Sequence, residues 1–309
     1  AAVTVEGNPT AVAADIGSVR RRAYETLRSL PDPATDPSAG AAVYGPIERW
    51  YDESRRRTLV GGNAGTASQA NPIRTGEAVG DVERVQSLVE AGRYLRDRYR
   101  NSLADPVPVA EPLRLAGQRM GDELTDRLRA LHGGDTDRLR WNPGAESFLD
   151  DRPVPRDAPS VSLLSSAGYR VFEDLEFDPV PIGEYEPDHV ATAFTLTLLF
   201  RVRLQALDAV ASRIENGETM FPGDPEAVTA AREAAIGSAA TLAGSENPLD
   251  RYLATQFLPL FAEPDGALAA GDRNARSTAD AYAAYRWIEM VADEAEAVTE
   301  SVSDSFETN

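Results

Sequence analysis

The sequence contains no cysteine, no lysine and only two histidines, His132 and His189. Without cysteine there is no disulfide framework, no thiolate zinc site and no iron–sulfur cluster. Without lysine there is neither a Schiff-base nucleophile nor a lysine-bearing phosphate loop. Long apolar runs are missing as well. The most apolar stretch, Val190 to Phe200, is about half the roughly 20 residues that a bilayer span needs, and Arg201 and Arg203 follow it. We expect it to be a buried core helix. No Asn-x-Ser/Thr acceptor is present, because Asn8-Pro9-Thr10 is disqualified by its proline. The chain opens Ala1-Ala2-Val3 with no signal-peptide pattern, which we read as a processed start or a piece of a longer anchored protein. Any membrane attachment is then expected through an anchor outside this segment.

What the chain does have is acid and arginine. Its 309 residues carry 31 basic side chains, all arginine, against 50 aspartates and glutamates, a net charge of −19 and a pI near 4.6. With 42% hydrophobic residues it can fill the core of one large domain or two ordinary ones. This balance resembles the proteins of extreme halophiles. At molar salt the Debye length falls to about 3 Å, so a carboxylate surface no longer repels itself strongly. The charge is unevenly spread. Residues 1–140 hold 20 arginines and 20 acids, whereas residues 141–309 hold 11 arginines and 30 acids, so the whole acidic excess lies in the later part. A neutral, arginine-rich first part calls for ion-pair networks or a covered surface.

Helical periodicity dominates, and the spacing predicts an all-α protein of helical bundles. Two helical regions, 1–140 and 189–309, are expected on either side of a Pro-rich acidic linker or cap, 141–188. One short β element, Tyr169 to Asp178, is expected inside that linker. In the first region we expect helices at Thr10–Leu30, Pro46–Thr58, Asp81–Leu103 and Glu111–Leu131, with Val60–Gly76 a loop of small residues. Val82, Val85, Leu88, Leu95 and Tyr99 should form the apolar stripe of the third. The second region should hold helices at His189–Asn216, Pro225–Ala243, Pro248–Ala262 and Asn274–Val302. In it, Asp224-Pro225 and Asn247-Pro248 read as a polar cap followed by proline at the first helical position.

The sharpest chemical feature is arginine at helical spacing. Arg93, Arg96 and Arg100 fall at i, i+3 and i+7, on one face, and Arg55-Arg56-Arg57 forms a further cluster, as does Arg20-Arg21-Arg22. Guanidinium groups bind carboxylate and phosphate in bidentate fashion, so these residues are candidates for an anion or partner site. Asp174, Glu176 and Asp178 would point one way from a strand and could offer oxygen ligands to Ca²⁺ or Mg²⁺, although no D-x-D-x-D-G loop surrounds them. Neither histidine sits in a G-x-S-x-G or strand–turn–helix context. Tyr282, Tyr285 and Trp287, like Trp50, Tyr51 and Trp141, read as core. No cofactor is implied, and an acidic chain without lysine is not built for nucleic acid.

The expected function is a non-catalytic binding or scaffold module of a salt-loving cell, in an exported or membrane-anchored setting. Alternatives are a cytoplasmic regulatory protein that takes an anionic partner, protein or small molecule, on its arginines, and a metal-assisted hydrolase built on the acidic segment. The halophilic reading has a direct test. Lowering NaCl to about 0.1 M lengthens screening to about 10 Å, so the melting temperature should fall as salt is withdrawn; a melting temperature indifferent to salt would refute it.

Overall fold

A computed structural model describes residues 17–19, 21–26, 30, 33–67, 72–131, 148, 160–161, 163–165, 167–168, 171, 189–218, 220–269 and 275–307. The side chains of 52–53, 55–67, 72–79, 275–277 and 307 lie outside that description. Among the described residues 88% are helical and none lies in a strand. The fold is all-α. Its elements are α1 (Pro37–Ala67), α2 (Pro72–Ser102), α3 (Ala110–Leu131), α4 (Val190–Glu215), α5 (Pro225–Gly244), α6 (Pro248–Phe257), a 3₁₀ turn (Leu258–Phe261), α7 (Ala262–Ala269) and α8 (Ala275–Glu307). The chain divides into two compact units, one of residues 1–114 and 186–194, the other of 115–185 and 195–309.

In the first unit, α1 packs against α2. The Asp36 carboxylate accepts the Ala39 amide at 2.8 Å just ahead of Pro37, a polar cap with proline at the first helical position. Ala34 and Val107 exchange a pair of backbone hydrogen bonds at 2.9 and 2.8 Å, which joins the strand-like entry to α1 with the segment after α2. The helix starts well before Pro46 and continues to Ala67, so the expected short helix and small-residue loop are corrected. Nucleation is the costly step of helix formation. Once Asp36 and Pro37 have set the first turn, each later glycine costs only about 1 kcal/mol. Pro46 merely removes one donor from a helix whose neighbouring turns are packed.

α2 likewise begins earlier than expected, and Asp81 lies inside it rather than capping it. Its buried stripe is Val85, Val89 and Gly92, continued by half-buried Arg96 and Tyr99, while Leu95 is 40% exposed. The steps of four and three residues keep these positions on one face. Leu95 falls about a quarter of a turn from its centre. Gly92 makes room for the Tyr51 ring: a Cβ would lie 3.0 Å from its hydroxyl oxygen, so the tyrosine would have to shift by a few tenths of an ångström.

In the second unit, α8 packs against α5, α6 and α7. Val228, Ala231 and Ala235 of α5 meet Ala281, Tyr285 and Ile288 of α8, with Leu260, Phe261 and Leu268 at the margin. Tyr285 and Trp287 are buried and Tyr282 half-buried, as core residues; Trp50 is half-buried, Tyr51 fully buried, and Trp141 lies outside the described residues. Both expected caps are present: Asp224 accepts the Ala227 amide at 2.9 Å and Asn247 the Leu249 amide at 3.0 Å. The helix expected over Pro248–Ala262 instead ends at Phe257 and tightens to 3₁₀ geometry, since Pro259 has no amide hydrogen to continue it.

Most of the linker 141–188 lies outside the described residues. Those described at 160–171 are helical, including Val171, so the β element is corrected at that residue. The small apolar run expected to be too short for a bilayer lies in α4, which by length and composition is long and apolar enough to cross one. The relevant window is 72% buried inside the protein, the burial of a core helix.

Gly40 supplies a test of the packing at the start of α1. A Cβ there would sit 2.8 Å from the Cγ2 of Val109, itself 1% exposed. Replacing a helical glycine by alanine ordinarily gains about 1 kcal/mol, but overpacking costs about 1–3 kcal/mol. Gly40→Ala should therefore lower the urea midpoint, and an unchanged or raised midpoint would refute this close contact.

Candidate functional site: the outward face of the second helix

The last turns of α2 carry the arginines that the sequence singles out. Residues 93–102 hold four arginines against one aspartate, a net charge of +3 on a chain of −19. Their helix turns them in different directions. Arg96 lies against α1 with its side chain 14% exposed; its Nη2 donates to Asp97 Oδ1 at 2.8 Å and its Nε to the same oxygen at 3.0 Å. Arg93 and Arg100 are exposed. Tyr99 turns inward: its ring stands edge-on to Tyr44 with centroids 5.8 Å apart, and its hydroxyl accepts the Thr35 amide at 3.3 Å.

Tyr94 turns outward and is 62% exposed. One turn on, Arg98 Nη1 donates to the Tyr94 hydroxyl oxygen at 3.5 Å. Tyr94, Asp97, Arg98, Asn101 and Ser102 line an open groove of about 440 Å³. Among the described residues neither Arg93 nor Arg98 is within ion-pair distance of a carboxylate. The pair differs from Arg114 and Arg129, which bind Glu111 and Asp126 on their own helix at 2.5 and 2.9 Å. An exposed aromatic beside a guanidinium group can stack on a planar group while the arginine takes its carboxylate or phosphate.

On the inner side of α1 lies a second feature, which the sequence reading did not pick out. Glu48 of α1 is 0% exposed and accepts the amide of Thr192, in the first turn of α4, at 2.6 Å. Burial pushes its carboxyl up to about 8, against the opposing pull of the Thr192 and Ala191 amides. Its Oε1 has no hydrogen-bond partner among the described residues. A signal was present: Glu48 stands four residues after Tyr44 and three before Tyr51, an acid on the stripe that those tyrosines mark as buried. One turn along, burial pushes the Tyr51 hydroxyl up to about 12, while Arg96 and Arg93 draw it down.

The remaining candidates are dispersed. Arg55, Arg56 and Arg57 are helical in α1, but their side chains lie outside the described residues, as do Asp174, Glu176, Asp178, Arg20 and His132 altogether. Arg21 and Arg22 are exposed. His189 is half-buried, immediately before α4. Among the described residues no group of three His, Asp or Glu side chains is placed to hold a metal.

The chain belongs to a family described as a domain of unknown function (DUF8264), whose model matches residues 110–304. Residues 1–105 match a second family model, also described as a domain of unknown function (DUF8262). The two matches meet in the connection between α2 and α3, so the groove lies wholly within the second of these families. No curated protein and no solved structure matches the chain.

Proposed function

We propose that this protein is a non-catalytic binding module that takes an anionic partner on the outward face of α2. The observation that supports this reading is the exposed Tyr94 beside Arg98 in the groove, with exposed Arg93 one residue before it; neither guanidinium reaches a carboxylate of another residue among the described residues. The partner suited to this face is an acidic peptide segment, with Tyr94 as the stacking surface and the arginines as bidentate donors. Such contacts are about 2.8 Å long, within the roughly 3 Å screening length of molar salt. They therefore persist in the saline setting that we propose from the acidic composition. An extracytoplasmic location belongs to the same proposal, and cell fractionation with an antibody to this chain tests it.

The binding test uses a polyglutamate peptide as probe, titrated into the intact protein at a salt concentration where it is folded. Amide signals of Arg93, Tyr94, Arg98 and Asn101 should shift. The Arg93→Glu/Arg98→Glu double variant should lose at least about tenfold in affinity, equivalent to about 1.4 kcal/mol. Equal affinity of the variant and the unaltered protein, or shifts confined to other helices, would overturn the proposal.

A further inference from the structure

Glu48 is a buried ionisable group that the docking face does not use. The amides of Ala191 and Thr192 that bear on it belong to the first turn of α4, where a helix leaves its N–H groups without intrahelical partners. Its carboxyl does the work of an N-cap, but it arrives from another helix instead of from the residue before the turn. Thr192 donates a second time: its hydroxyl gives a hydrogen bond to the Gly45 carbonyl, one turn back along α1, at 2.9 Å. Two hydrogen bonds, both donated by Thr192 to acceptors on α1, therefore tie α1 to the start of α4.

The bare oxygen of Glu48 restricts what the site can hold. A metal cation would meet the positive end of the α4 dipole, and an anion would meet the carboxylate. A proton meets neither obstacle. It neutralises the carboxyl, removes the cost of burying a charge, and leaves the second oxygen free to accept from Thr192. Among the described residues no opposing ion acts on it, the causes being burial and the hydrogen bonds from Thr192 and Ala191. On α1 the described neighbours one turn away are Tyr44, whose hydroxyl donates to the Pro33 carbonyl, and Tyr51, whose hydroxyl donates to the Val89 carbonyl; Asp52, also one turn along, has its side chain outside the description. From α2, Arg96 and Arg93 act on Tyr51, one turn along from Glu48. On the α4 side the titratable neighbour is His189, just before the helix.

We propose that Glu48 is a proton-operated latch between α1 and the first turn of α4, closed when its carboxyl is neutral and loosened when it ionises. The sign follows from linkage. In the closed state the carboxyl keeps its proton up to about 8, whereas an opened latch returns it to water and to an ordinary value of 4.5. Protons are thus bound more tightly by the closed state. Opening grows as pH rises between those two values and levels off above the upper one.

Amide hydrogen exchange on the intact chain, corrected for the intrinsic base-catalysed rate, reads this directly. Protection at Thr192, Ala193 and Phe194 should fall about tenfold per pH unit until about pH 8, and should be flat in Glu48→Gln, which mimics the protonated form. Equal slopes in the two proteins would overturn the latch and point to His189 or to global unfolding. A ¹³C titration of the Glu48 carboxyl in the unaltered protein is independent of whether the variant folds. A midpoint near 8 is expected, and a midpoint in the ordinary carboxylate range overturns the proposal.

Discussion

The first unit is organised by side chains of one helix capturing main-chain groups of its neighbours, and the bond from Glu48 to the Thr192 amide is the tightest of them. Tyr44, Glu48, Tyr51 and Ser54 all lie at 0% exposure on the inner side of α1. Tyr44 reaches back to Pro33, Tyr51 across to Val89 on α2, and Glu48 to α4. The Pro33 carbonyl lies outside any helix and the Thr192 amide in a first turn, so both lack an intrahelical partner; the Val89 carbonyl, inside α2, gains a second donor. Apolar residues at Tyr44 and Glu48 would fill space equally well, yet they would leave that carbonyl and that amide without these partners, at about 1–3 kcal/mol each. The polar stripe is therefore what permits three separate stretches of chain to converge on α1, and Glu48, with one oxygen unmatched, is its least settled member.

The second unit holds a buried acid, Asp250, and a half-buried acid, Asp265, and both differ from Glu48 in their partners. Asp250, 2% exposed, receives the hydroxyls of Ser245 at 2.6 Å and of Thr299, one on each carboxylate oxygen. Asp265 receives Arg232 in bidentate fashion at 2.8 and 2.9 Å and the Tyr285 hydroxyl at 2.6 Å, and the Arg232 hydrogen bonds hold its carboxyl down to about 2. Both oxygens of each acid have hydrogen-bond donors. Glu48 receives backbone amides on one side alone. Neutrality is the inexpensive solution for it, and ionisation the costly one.

Where a helix end depends on local chemistry, it was legible in the sequence. Asp224-Pro225 and Asn247-Pro248 start helices because the side-chain oxygen and the proline act within a few residues of each other, and nothing distant is needed to see it. The extent of α1 and α2 was not legible. Gly61, Gly62 and Asn63 are poor helix formers, and their inclusion depends on nucleation upstream and packing alongside. The stripe of α2 was misread by one position, because Leu95 is apolar and exposed while Arg96 is charged and half-buried. An arginine stem can lie along apolar surface while its guanidinium finds Asp97, and hydrophobicity alone does not reveal that. The arginine-rich turns themselves were plain from spacing. Their division between an inward Arg96 and an outward Arg93 and Arg98 needed the helix to be set against α1.

The same division bears on why the first 140 residues are electrically neutral in so acidic a chain. Local ion pairs account for part of it, as Arg114 with Glu111, Arg129 with Asp126 and Arg96 with Asp97 illustrate. Exposed pairs of that kind add little stability, because solvent and salt screen them. They neutralise charge without demanding a partner. Arg93 and Arg98 do not fit that account, since neither has a carboxylate within reach among the described residues. A helix C-terminus does favour cations, but that effect is about 0.3–1 kcal/mol and falls off beyond the last turn, where Arg100 already provides it. Two further arginines near an outward tyrosine exceed what the helix needs for itself. On the function proposed above, that surplus is what an acidic partner would meet.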